Sequence, residues 1–238
     1  MDDLDDLPPL RTPTSRRPLL GMTVLAVEDS RFSCEALRLM CLHSGARIRR
    51  ADCLRSARRH LKVYRPSVAV IDVGLPDGSG LDLIRDLHHA SPRVGVILGI
   101  SGDDNAQAGV AAAGADGFLM KPLESLAAFQ QAILDKLPGE MQVAGPRSLP
   151  AHMVDPDPVA YRDDMSHVAT ILQSNRDGPV LDYVAQFLRG VARAAGDRQL
   201  VDVVADLTDR RARGLSATPV VARLTGMLQD RLQRRVAI

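Results

Sequence analysis

Five side chains in the first half of this chain carry chemistry in a recurring setting. Glu28 and Asp29 follow the apolar run TVLAV at 23–27, and Asp72 closes the run VAVID at 68–72. Ser101 follows VGVILGI at 94–100, and Lys121-Pro122 follows GFLM at 117–120. Three carboxylates brought together repel one another and require a cation. An all-oxygen donor set suits a hard ion such as Mg²⁺, which keeps several waters and takes few protein ligands. A central carboxylate can also act as a nucleophile toward phosphorus, giving an aspartyl phosphate. An ammonium and a hydroxyl beside it would neutralise and hydrogen-bond the equatorial oxygens of a transferring phosphoryl group. Taken singly, each residue has a plainer role: Asp29 or Ser101 as a helix N-cap, Lys121 as a solvated surface charge.

What gives the set meaning is the order of elements around it. The four apolar runs alternate with amphipathic segments at about 31–44, 54–64, 80–89, 104–113 and 123–137, and Ala46 to Ala51 supplies a weaker strand. Near-continuous apolar strands between amphipathic helices predict a parallel sheet covered on both faces. Five such units make a doubly wound α/β domain with a five-stranded parallel sheet, whose ligands sit at the carboxyl ends of the strands. The five side chains should therefore converge on one cleft.

At these residues the sequence resembles the receiver domain of two-component response regulators, a CheY-like fold, over roughly residues 22–138. The resemblance rests on VLAVEDS, VIDVGLPDGSGLDLI, ISG and GADGFLMKP, in that order and spacing. It implies that Asp72 is the phosphoacceptor, that Glu28, Asp29, Asp72 and the backbone carbonyl of Gly74 hold Mg²⁺, and that Lys121 contacts the phosphoryl group. It further implies that Ser101 is the switch hydroxyl, with Phe118 in the place of the switch aromatic. Pro76 and Gly80 match the family's loop after the phosphoacceptor, and Pro122 its usual cis proline. Two positions depart from the commonest pattern. Glu28 replaces Asp with the charge kept, and Phe118 lacks the hydroxyl of a tyrosine. The resemblance also implies a phosphohistidine donor, either a sensor histidine kinase or a phosphotransfer protein. Catalysis would be limited to the receiver's own phosphorylation and dephosphorylation.

Prolines divide the chain. Four of the fifteen fall in residues 1–20 and five in 138–158, where a residue lacking a donor and fixed in φ discourages helix and central strand. The reading is a flexible tail at 1–20, a receiver at 21–138, a Pro-rich linker at 139–158 and a second domain at 159–238. The second domain reads as four amphipathic helices, about 160–174, 179–195, 198–213 and 217–236, with Pro179 in a first turn and Asp197 as an N-cap after Gly196. Four such helices on short loops predict an all-α bundle.

The output of that bundle is harder to read. It carries twelve Arg against nine Asp, with clusters at Arg210, Arg211, Arg213 and at Arg231, Arg234, Arg235. A weak helix-turn-helix rhythm surrounds Gly214, but Arg210 stands where a small residue is usual, and Pro219 interrupts the recognition helix. The favoured expectation is a bundle that forms a homodimer or docks a protein partner; a divergent DNA-binding output is the alternative. His167, in DMSHVAT, faintly resembles a kinase phosphoacceptor box but lacks its following acid, which makes a phosphorelay role remote.

Composition limits the remaining classes. Hydrophobic residues make up 45% of 238 and the net charge is +1, so the chain as a whole is not a polyanion binder. There is no Trp, which argues against base-stacking or carbohydrate platforms. Cys34, Cys41 and Cys53 form no paired spacing and read as reduced thiols of a cytoplasmic protein. No apolar run reaches a membrane span, and the acidic start MDDLDDLPPL is unlike a signal peptide.

Overall fold

The computed structural model describes residues 12–138 and 157–233. In chain order the first part contains β1 (Thr23–Val27), α1 (Arg31–Ser44), β2 (Arg47–Ala51), α2 (Leu54–Val63) and β3 (Val68–Asp72). A small antiparallel hairpin, β4 (Gly74–Leu75) and β5 (Gly78–Ser79), follows. Then come α3 (Gly80–His89), β6 (Val96–Ser101), α4 (Ala106–Ala112), β7 (Gly117–Met120) and α5 (Leu126–Leu134). The five long strands form one parallel sheet in the order β2-β1-β3-β6-β7. This is the expected doubly wound fold.

Strand alternation sorts the core into two layers. Val24, Ala26, Val70 and Leu98 face α1 and α5, meeting Leu37, Met40, Phe129 and Ile133. Leu25, Val27, Ile71 and Ile97 face α2, α3 and α4, meeting Ala57, Leu83, Ile84 and Val110. Every residue of β3 is buried, as a central parallel strand requires. β2 lies at the edge and exposes Arg47, Arg49 and Arg50, which keeps that edge from pairing with another chain.

The expected tail is too long at its inner end. Leu19 is fully buried in the core with α1, and its amide donates to the Ser44 carbonyl. An apolar side chain that can close the end of the sheet is held there despite the neighbouring Pro18. The 74–79 hairpin was not expected, because a two-residue strand has no periodicity to read.

The second part contains α6 (Pro158–Ser174), α7 (Gly178–Ala194), α8 (Arg198–Ala212) and α9 (Thr218–Gln233). Asp157, Asp177 and Asp197 each cap a helix by accepting from a first-turn amide. Met165, Val168, Val184, Leu188, Val203, Leu207 and Leu224 build a core separate from those of the sheet. The linker expected at 139–158 lies outside the described residues, except for Asp157 and Pro158, which cap and open α6.

The two parts pack against each other. Helices α6 and α7 lie on α1, and α7 also reaches the β4 turn. The bundle thus sits at the carboxyl edge of the sheet.

Candidate functional site

Each of the five side chains emerges where its strand ends. Ser30 is the N-cap of α1 and accepts from the Ser33 amide. The capping role is thereby taken one residue after Asp29, which leaves Asp29 to the cleft. Likewise Asn105, not Ser101, precedes α4. The loop after Asp72 turns sharply into α3, and only glycine fits at position 80, because a Cβ there would lie 1.9 Å from the Asp72 carbonyl oxygen.

The cleft is buried and short of positive charge. Lys121 is 4% exposed, Asp72 8% and Glu28 2%. Lys121 Nζ lies 2.6 Å from Glu28 Oε2 and 3.0 Å from Asp72 Oδ2. Glu28 Oε1 accepts from the Ser30 amide at 3.0 Å, which fixes the carboxylate. Burial pushes the Glu28 carboxyl well above its usual range, with Asp72 and Asp29 adding to the rise against the opposing Lys121 ammonium. Asp29 is pushed up to about 7, first by burial and then by the Asp72 charge. For Lys121, burial opposes the ammonium, but Asp72 and Glu28 outweigh it and hold the amine charged.

One oxygen from each of Glu28, Asp29 and Asp72 lies within 4.8 Å of the others. Three carboxylates against one ammonium leave negative charge that a divalent cation would balance. The all-oxygen set fits a hard ion. Ser101 closes β6, is 5% exposed, and accepts from the Asp103 amide at 3.1 Å. Gly74 opens the β4 turn beside α7. Phe118 lies on β7, partly buried against the α2–α4 layer. The Lys121-Pro122 bond is cis. His167 stands exposed on α6 with its ring 5.7 Å from that of Phe187, and it lines a groove that also reaches Glu28, Asp29 and Asp164.

Sequence reasoning missed the bundle's share of this site. Tyr183 of α7 donates to Asp29 Oδ2 at 2.8 Å. Asp164 of α6, 2% exposed, accepts from Ser30 Oγ at 2.7 Å and from the amides of Arg31 at 2.8 Å and Phe32 at 3.1 Å. These are first-turn amides that α1 cannot satisfy itself. Arg193 donates to the Gly102 carbonyl. Gly102 and Gly190 approach so closely that a Cβ on Gly102 would lie 3.0 Å from the Gly190 Cα. One signal was available: Asp164 falls on the apolar stripe of α6, four residues before Val168, where a lone acid calls for a partner. Between bundle and cleft remains a cavity of ≈ 520 Å³.

The family model described as "Response regulator receiver domain" matches residues 24–133. The chain is 32% identical over 99 residues to the KDP operon transcriptional regulatory protein KdpE of Escherichia coli (strain K12), covering 42% of this chain and 44% of that protein. It is 31% identical over 121 residues to the virulence transcriptional regulatory protein PhoP of Salmonella typhimurium (strain 14028s / SGSC 2262), covering 50% of this chain and 54% of that protein. The matched segments thus span about half the length of these curated relatives. Among solved structures, the signal receiver domain of a signal transduction histidine kinase from Syntrophus aciditrophicus is 24% identical with a TM-score of 0.45, covering 55% of this chain and 98% of that one.

Proposed function

We propose, from the premise that residues 24–133 are a response regulator receiver domain, that this chain is a response regulator phosphorylated on Asp72. The observation that carries the reading is the buried Lys121 ammonium set between Glu28 and Asp72, with Asp29 and Ser101 beside them at the strand ends. The donor is a phosphohistidine on a kinase or phosphotransfer protein. Mg²⁺ held by Glu28, Asp29, Asp72 and the Gly74 carbonyl would neutralise charge on the phosphoryl oxygens.

The residues of the chain do the rest. Asp72 supplies the nucleophilic oxygen and Lys121 holds an equatorial oxygen of the transferred group. Ser101 turns its hydroxyl toward that group, and Phe118 follows into the space released. These contacts exist only in the phosphorylated state, so they shift a population between two arrangements. The docking of α6 and α7 at Asp29, Ser30 and Gly102 gives that shift a direct route to the helical domain.

The division into a receiver at 21–138 and an output domain at 159–238 belongs to the same proposal. So does the output itself, self-association or capture of a protein partner. Arg210, Arg211, Arg213 and Arg231 pair with Asp206, Asp182, Asp209 and Asp197, which leaves these guanidinium groups committed within the bundle. That favours a protein-facing output over a DNA-facing one. The test is the solution mass of the full chain with and without Mg²⁺ and beryllofluoride, beside Asp72→Ala. A change in oligomeric state in the wild type alone supports the reading. A change that persists in Asp72→Ala opposes it.

A further inference from the structure

The cavity between the two parts has two chemically different walls. Asp72, Ser101 and Lys121 line one; Gln186, Arg189 and Arg211 line the other. The two arginines are already committed. Arg189 donates to Thr208 Oγ1 at 3.0 Å and lies 3.5 Å from Asp103, and Arg211 grips Asp182 with two bonds of 2.8 Å. Gln186 is different: its amide makes no hydrogen bond to any of the described residues.

The amide is nevertheless placed closely. A Cβ built on Gly74, two residues after Asp72, would lie 2.2 Å from Gln186 Nε2. One turn further along the same face of α7, Gly190 lets the helix close on Gly102 and brings its backbone near the Lys121 side chain. The helix is therefore pressed onto the cleft at Gly190, and the side chain one turn earlier extends over it.

We propose that the helical domain completes a phosphatase site for its own receiver, with Gln186 positioning the attacking water. This rests on the reading that Asp72 carries the phosphoryl group. A carboxamide offers a donor and an acceptor on one rigid plane, so it can hold a water by one hydrogen and one lone pair while staying uncharged. Orientation of an attacking water by a glutamine is an established device in phosphoryl transfer. In the step, the water oxygen bonds to phosphorus and the bond from phosphorus to the Asp72 oxygen breaks. Its electron pair returns to the Asp72 carboxylate, and a water proton passes to the departing phosphate. Water is the only co-reactant. The bundle would then set how long the signal lasts.

The test is the lifetime of the phosphorylated full-length chain after labelling with acetyl phosphate and removal of the donor. Gln186 is exposed and unbonded, so Gln186→Ala should fold as the wild type does. The proposal expects phosphate loss to slow by at least about tenfold in this variant, with phosphorylation by acetyl phosphate affected less than hydrolysis. An unchanged lifetime overturns it. So does an equal slowing of both reactions, which would make Gln186 merely part of the wall. Asp72→Asn run in parallel separates the two claims: label that persists there defeats the Asp72 reading, whereas label lost there with a wild-type lifetime in Gln186→Ala defeats this proposal alone.

Discussion

Tyr183 donates its hydroxyl to Asp29 across 2.8 Å, joining a helix of the bundle to a carboxylate of the Glu28, Asp29 and Asp72 group. The bond engages an oxygen that a metal ion would otherwise share. Burial first, and then the Asp29 charge, hold the phenol well above its usual range, so it remains a donor throughout the working pH range. Tyr183→Phe should therefore tighten Mg²⁺ binding by roughly three- to tenfold, the scale of one hydrogen bond to a charged group. Calorimetric titration of the full chain measures it; weaker binding in the variant would count against the competition.

Asp164 ties the bundle to α1 by three hydrogen bonds to one buried carboxylate. Asp164→Ala leaves the Arg31 and Phe32 amides without that acceptor. Their hydrogen exchange should accelerate by at least about tenfold, with the central amides of β3 unaffected. Exchange at wild-type rates would mean that docking does not depend on this residue.

Much of this was open to reading in the sequence, for a physical reason. Parallel strands buried on both faces must be apolar throughout, so VAVID and VGVILGI announce themselves, and the residues that end them line one cleft. Ser101 and Lys121 fall where the alternation puts them. The bundle's part was hidden because contacts between Asp164 and Ser30, or between Tyr183 and Asp29, join positions more than 130 residues apart and leave no local period. Gln186 had no signal at all, since a polar residue on a helix face ordinarily meets solvent. Leu19 was misplaced because the prolines around it mask a single buried anchor.

Gly80 is required by its closeness to the Asp72 carbonyl. Gly80→Ala must displace either the first turn of α3 or the backbone of Asp72. A loss of about 1–3 kcal/mol in stability is expected, with impaired labelling of Asp72. Chemical denaturation with and without acetyl phosphate checks both, and a wild-type midpoint would show that the turn relaxes freely.

Within the bundle, Arg231 and Tyr161 both bond Asp197. Burial opposes the Asp197 charge, but the Arg231 and Tyr161 bonds outweigh it and hold the carboxyl below its ordinary 3.8. A folded value below the unfolded one adds stability that is complete above about pH 4 and fades as pH falls through the folded value. Asp197→Asn should cost on the order of 2 kcal/mol at pH 7 and progressively less in acid. Thermal unfolding of both proteins across pH gives the difference directly; a constant gap down to pH 2 would contradict the assignment.

The central claim is that Asp72 is the phosphoacceptor. The most direct test is intact-protein mass after incubation with acetyl phosphate and Mg²⁺, for the wild type and Asp72→Asn. One added phosphoryl group on the wild type, labile to hydroxylamine, and none on Asp72→Asn is the predicted result. The same increment on Asp72→Asn would contradict it.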